Sequence, residues 1–194
     1  MGTRGAYGFY RDGQNKLTYN HFDSYPEGLG NTVVDFCRAT SRKEMDEIFD
    51  RIVLVHDTDL PLDKPTQAQI EACEQYFDNK VSTGQKTEWY ALLREAQGNL
   101  DAYKHGLRYM IDNERFMQDS LFCEWAYVIN LTDGVLEVYR GFQKTPQNNR
   151  YLLPFCFEED DDYFNVALLV AYPLDDIPDN WIEEVCKLAE EREI

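Results

Sequence analysis

"LFCEWAYVINLTDGVLEVYRGF", residues 121–142, sets the fold class. On an extended chain Leu121, Cys123, Trp125, Tyr127, Ile129 and Leu131 point one way, and Phe122, Glu124, Ala126, Val128 and Asn130 the other. Both sets are mostly apolar, which predicts a strand covered on both faces, inside a sheet between two layers. Asp133-Gly134 is a tight-turn pair, and "VLEVYRGF" returns as the second arm of a hairpin.

The same logic reaches outward in both directions. "TRGAYGFY" and "KLTYNHF", separated by "RDGQN", read as an opening hairpin, and "FNVALLVAYPL" as another buried strand. After the first hairpin the period becomes helical, with Val33, Phe36 and Cys37 on one face. Ser41 followed by Glu44 caps a second helix bearing Met45, Ile48, Phe49 and Ile52. "VLVHDTDLPLDKP" reads as a linker. Thr66 and Gln69 then cap an apolar face of Ile70, Cys73 and Phe77, followed by stripes at Trp89, Leu92, Leu93 and Ala96 and at Leu100, Tyr103, Leu107 and Met110. Residues 66–115 are therefore expected to be all helical, an insertion between two sheet regions. A last helix carries Trp181, Val185, Leu188 and Ala189. The expected fold class is α+β in one domain of 194 residues, a mostly antiparallel sheet with helices packed on it.

Charge narrows the partners. The chain carries −17, and residues 151–194, with 2 basic and 13 acidic side chains, hold −11 of it. Nucleic-acid backbones demand stripes of Lys and Arg, so direct nucleic-acid binding is the poorest candidate. The partners that remain are a small molecule or a basic protein surface, onto which an acidic C-terminal third would dock in the manner of a phage-type inhibitor or nucleic-acid mimic. No apolar run of about eighteen residues or signal-peptide pattern occurs, so a cytoplasmic chain without membrane association is expected. The five cysteines, Cys37, Cys73, Cys123, Cys156 and Cys186, form no C-x-x-C pair and read as small core residues. Asp57, Asp59 and Asp63 after His56, and the run Glu158–Asp162, lack the spacing of a cation loop and read as solvated charge. No cofactor motif is present.

The polar stretch "YNHFDSYPEGLG", residues 19–30, is the main candidate for chemistry. In an extended segment His21 and Asp23 share a face, where a His beside a carboxylate serves as general base, and Asn20 can hold a carbonyl or oxyanion. The alternative is a turn in which Asp23 and Ser24 bond the backbone ahead of the next helix, with Gly28 and Gly30 permitting the bend. Glu124, read as mid-strand among apolar neighbours, needs either a wet end of the sheet or a cation, for which Arg4 is the candidate, as a buried structural pair or as part of a site. Arg4, Tyr25 and Glu124 are thus expected to bind ligand beside catalytic His21, Asp23 and Asn20.

"MGTRGAYGF", "YNHFDSYPEGLG" and "FCEWAYVINLTDGVLEVY" together resemble a family of small proteins found in bacteria, phages and fungi, a resemblance that brings no activity with it. In layout the same stretches are similar to N-terminal nucleophile hydrolases of the choloylglycine hydrolase and penicillin acylase kind. That resemblance implies a four-layer αββα fold and linear-amide hydrolysis, with Asp23 facing the free amine and Asn20 or His21 where those enzymes orient substrate. Such enzymes begin with Cys, Ser or Thr. Removal of Met1 here leaves Gly2, and Thr3 is terminal only if Gly2 also goes. The expected function is accordingly a polar small-ligand pocket, hydrolase-like or degenerate from a hydrolase.

Overall fold

The computed structural model describes residues 2–152 and 163–192. Strands β1 (Gly5–Arg11) and β2 (Gln14–Asn20) make the first hairpin, turned at Asp12 and Gly13, both at positive φ. Strands β5 (Trp125–Asn130) and β6 (Val135–Arg140) make the second, and β7 (Ala167–Pro173) follows β6. They form one five-stranded sheet in the order β2-β1-β5-β6-β7. The two hairpins join through β1 and β5, which run parallel with Gly5 opposite Trp125 and Phe9 opposite Ile129; every other neighbour is antiparallel. The fold is α+β with a mostly antiparallel sheet.

Every residue of β5 is buried, as a strand apolar on both faces requires. Trp125, Tyr127 and Ile129 enter a large core with residues of α1 (Asn31–Ala39), α2 (Arg42–Arg51) and α6 (Trp181–Arg192). Ala126 and Val128 face a smaller core with Leu17, Met117, Tyr139 and Tyr151. Alternation does not extend back to residue 121. The amides of Phe122 and Cys123 both bond the Asp119 carbonyl, so Cys123 sits in a turn and is buried beside Ala126 rather than Trp125. Cys37, Cys73 and Cys123 are buried and Cys186 half-buried, all as free thiols; burial pushes Cys37 up to about 12 and Cys73 up to about 11. Cys156 lies outside the described residues.

The middle of the chain departs from its expected form. "VLV" is not linker but strand β3 (Val53–Val55), which pairs in parallel with β4 (Tyr109–Ile111) inside the expected helical block. The helices there are short: α3 (Gln67–Cys73), α4 (Trp89–Leu92) and α5 (Asp101–Lys104), with single 3-10 turns between. The apolar spacing identified the buried positions, but α3 tightens into a 3-10 turn that ends at Phe77, and Gly98 and Gly106 at positive φ follow closely on the turn after α4 and on α5. Thr66 and Gln69 do form a reciprocal capping box, and Ser41 caps α2 through the Glu44 amide.

The middle block and the helices lie over one face of the sheet; 3-10 turns and extended segments, including Glu114–Gln118, lie over the other. A second large sheet stacked on the first, as an αββα arrangement needs, is not found among the described residues. None of the described helices is long and apolar enough to cross a membrane.

Candidate functional site

The stretch from Tyr19 to Gly30 is a clasp between the end of β2, the start of β1 and α1. Asn20 and Ser24 are buried, and Asn20 Nδ2 donates to the Phe22 carbonyl and to Ser24 Oγ (2.9 Å). The Ser24 amide bonds the Thr3 carbonyl at 3.1 Å, and the Tyr127 hydroxyl donates to the Ser24 carbonyl at 3.0 Å, tying the clasp to the central strand. Asp23 takes φ +52°, which lets its carbonyl accept the Leu29 amide at 2.8 Å across a π-helical turn, Pro26–Gly30. Gly28 fits because a Cβ there would lie 2.1 Å from that carbonyl. The density of polar residues is thus used mainly to close backbone.

The expected catalytic group is not gathered at one point. His21 Nδ1 lies 2.7 Å from the Tyr19 hydroxyl in a hydrogen bond, with its ring against Phe22. Asp23 lines a shallow acidic concavity on the other side of the clasp with Glu27 and Asp35. Asn20, whose Nδ2 is spent on the clasp, lines that same concavity. Tyr25 is exposed, and its carbonyl receives the amides of Gly28 and Gly30. Glu124 precedes β5 rather than sitting within it, and its Oε1 meets the Arg4 backbone amide at 3.3 Å, not the guanidinium. The buried Thr3 hydroxyl finds no partner, so no base stands within reach of it among the described residues.

A cavity of about 140 Å³ opens instead where the middle block meets the first hairpin. Tyr7 and Thr18 form its floor, Ile111 and Asn113 one wall, and Tyr90, Leu93, Ala96, Gln97 and Tyr103 the other, with Tyr19 and exposed Asp57 at the rim. Tyr7 crosses the junction, donating to the Ala96 carbonyl at 3.3 Å and accepting the Gly98 amide at 2.8 Å, and burial holds its phenol protonated. Asn113 Oδ1 accepts from the Tyr19 amide and the Thr18 hydroxyl, while Gln97 Oε1 accepts from Arg94 at 2.6 Å. Around the cavity four donors remain unspent among the described residues: the hydroxyls of Tyr90 and Tyr103, Asn113 Nδ2 and Gln97 Nε2. Asp57 turns to the backbone amides of Trp89 and Tyr90, and the loss of water on its inner side outweighs those bonds and pushes its carboxyl up.

A second polar cluster occupies the opposite face of the sheet, and it is closed. Glu137 on β6 has a side chain only 7 % exposed and meets both terminal nitrogens of Arg150. The Tyr139 hydroxyl (2.9 Å) and Asn130 Nδ2 (2.8 Å) donate to the same carboxylate. Arg150 Nε bonds the Tyr151 hydroxyl, which donates to Asn15, which in turn donates to Glu114. Glu137 was findable: a carboxylate at an inward position of "VLEVY" carries the signal that the sequence reading attached to Glu124. The cavity tyrosines gave no such signal, because at helical or strand spacing they are indistinguishable from core.

No family model, curated protein or solved structure matches this chain. Among the described residues, no three His, Cys, Asp or Glu side chains gather as a metal site. Asp59 instead pairs with Lys64, and Asp63 accepts from Thr58. The run Glu158–Asp162 lies outside the described residues.

Proposed function

We propose that this protein binds a small polar molecule in the tyrosine-lined cavity between the first hairpin and the middle block. The observation that carries the reading is the set of donors without a protein partner among the described residues, on Tyr90, Tyr103, Asn113 and Gln97, all of which line one hollow. A donor with no protein partner is open to a guest, and each hydrogen bond so made contributes roughly 0.5–1.5 kcal/mol, so several donors gathered at one hollow suit a polar molecule. A cavity of roughly 150 Å³ admits a benzene-sized molecule, which sets the scale of the part that enters. The reading is of binding rather than amide hydrolysis: His21 and Asp23 face different surroundings, and Thr3 is buried.

The test is a screen of polar, benzene-sized fragments followed by amide and side-chain resonances. Fragments that bind should shift the side-chain signals of Asn113 and Gln97 saturably. Ala96→Leu, which fills the cavity from its wall, should abolish those shifts while leaving a cooperative melt. Fragments that bind equally well to a folded Ala96→Leu variant, or a screen in which none moves these signals, would sink the proposal.

A further inference from the structure

Two arginines without an ion-pair partner reach residues that line the cavity, Arg94 at Tyr90 and Gln97 and Arg4 at Tyr19, in a chain with almost twice as many acidic as basic side chains. Arg94, on the turn that forms the cavity wall, lies over Phe22 (5.3 Å) and Tyr90 (5.9 Å); Arg4, just ahead of β1, lies over Phe122 at 4.7 Å. Neither guanidinium has an ion-pair partner among the described residues, whereas Arg11, Arg38, Arg42 and Arg150 each have one. Both are half-buried against aromatic rings, which holds them in place and thins their water. Arg94 is further fixed by its bond to the side chain of Gln97, a residue that lines the cavity, so the cation and one unspent donor are joined.

The two arginines are linked through Tyr19, whose hydroxyl Arg4 hydrogen-bonds. Both act on Tyr19 and on His21, which share a hydrogen bond, and both disfavour a proton on His21 in addition to the larger effect of its burial. The acidic groups nearby are already engaged: Glu124 with the Arg4 amide, Asp57 with the amides of Trp89 and Tyr90. Asp57 keeps its charge on the far rim, but on the Tyr19 and Tyr90 side the groups left open are cationic and donor-rich, and a neutral guest would leave the arginines unanswered.

We infer that the ligand of the tyrosine cavity carries an oxyanion, a carboxylate or a phosphate, held at the cavity mouth by Arg94 and Arg4 with its uncharged body among the tyrosines. This rests on the cavity reading and adds the chemical class. Arg supplies planar, fixed donors suited to both oxyanions, and charge-assisted bonds of this kind are roughly twice as strong as neutral ones.

The experiment compares three probes of one body size, benzoate, phenyl phosphate and neutral benzyl alcohol, by resonance titration at low ionic strength. At least one anion should bind about tenfold more tightly than benzyl alcohol, roughly one good charge-assisted contact. The preference should weaken with added salt and raise the pH at which His21 titrates. Which anion wins distinguishes carboxylate from phosphate recognition. Arg94→Gln and Arg4→Gln should each reduce the preference and together remove it, while Arg94→Lys, which keeps the charge, should retain part of it; thermal melts establish that each variant folds. If benzyl alcohol binds as well as the anions, or the preference survives the double substitution, the oxyanion assignment is overturned and the cavity stands. If none of the three shifts a cavity signal, the assignment falls, and the fragment screen decides whether the cavity reading falls with it.

Discussion

The two faces of the sheet hold comparable sets of tyrosine, amide and charged side chains, and they treat them oppositely. Under Arg150 the set is saturated: Glu137 receives from Arg150, Tyr139 and Asn130, and the chain continues through Tyr151 and Asn15 to Glu114. Under the middle block the set is incomplete, with Tyr103 and Tyr90 hydroxyls and the Asn113 and Gln97 amides unpaired among the described residues. A saturated network specifies one packing and resists a guest. An incomplete one leaves donors open to a guest, which is the physical ground for placing the ligand on one face rather than the other.

The largest break in that contrast should come from Arg150→Met. It leaves the Glu137 carboxylate buried without its cation and should cost about 3 kcal/mol in denaturant unfolding. A loss under about 1 kcal/mol would mean the pair is solvated and the closed face is not closed. Next, Tyr139→Phe removes a donor to a charged acceptor and should cost about 2 kcal/mol, whereas Tyr103→Phe, whose hydroxyl has no partner, should stay within about 0.5 kcal/mol of wild type. Equal effects would erase the distinction between the faces. Tyr7→Phe falls between these two: it orphans the Gly98 amide at the cavity floor and should cost about 1 kcal/mol, read from the same unfolding curves.

The smallest effect is electrostatic. His21 titrates below its ordinary 6.5 through burial, then Arg94, then Arg4. A depressed folded value means the unfolded chain takes up the proton first, so this residue's contribution is intact above pH 6.5 and is lost as pH falls from there through the lower folded value. Arg94→Gln should raise the His21 midpoint in an NMR titration and make the melting temperature less sensitive to acid across that window. An unchanged midpoint would separate Arg94 from the rim and weaken the oxyanion assignment.

The sheet was legible where local chemistry dictates it. Asp12-Gly13 and Asp133-Gly134 mark both hairpins, and the two apolar faces of Trp125–Asn130 place that strand at the centre. The parallel joint of β1 to β5 was not legible, since nothing local to either strand names a partner so distant in sequence. In the middle block, spacing identified Trp89, Leu92, Leu100 and Met110 as buried but not their short helices or strand, because the apolar period reports burial and runs on across the turns that end each element. The richest polar stretch, around His21 and Asp23, turned out to be mostly a clasp. The cavity draws single residues from many segments, so no window of sequence contains it.

The joint between β1 and β5 also bears on how the chain is made. Gly5 pairs with Trp125, 120 positions later, so the opening hairpin leaves the ribosome long before its neighbour exists. At about 5–20 residues per second that interval is on the order of ten seconds, while a hairpin forms in microseconds. Through that time β1 has an open edge, with Tyr7 and Phe9 lacking the cover they have in the finished core. Arrest of translation before residue 125 would therefore release a chain with an unpaired, aromatic strand edge, and nascent-chain solubility should change sharply once β5 has emerged.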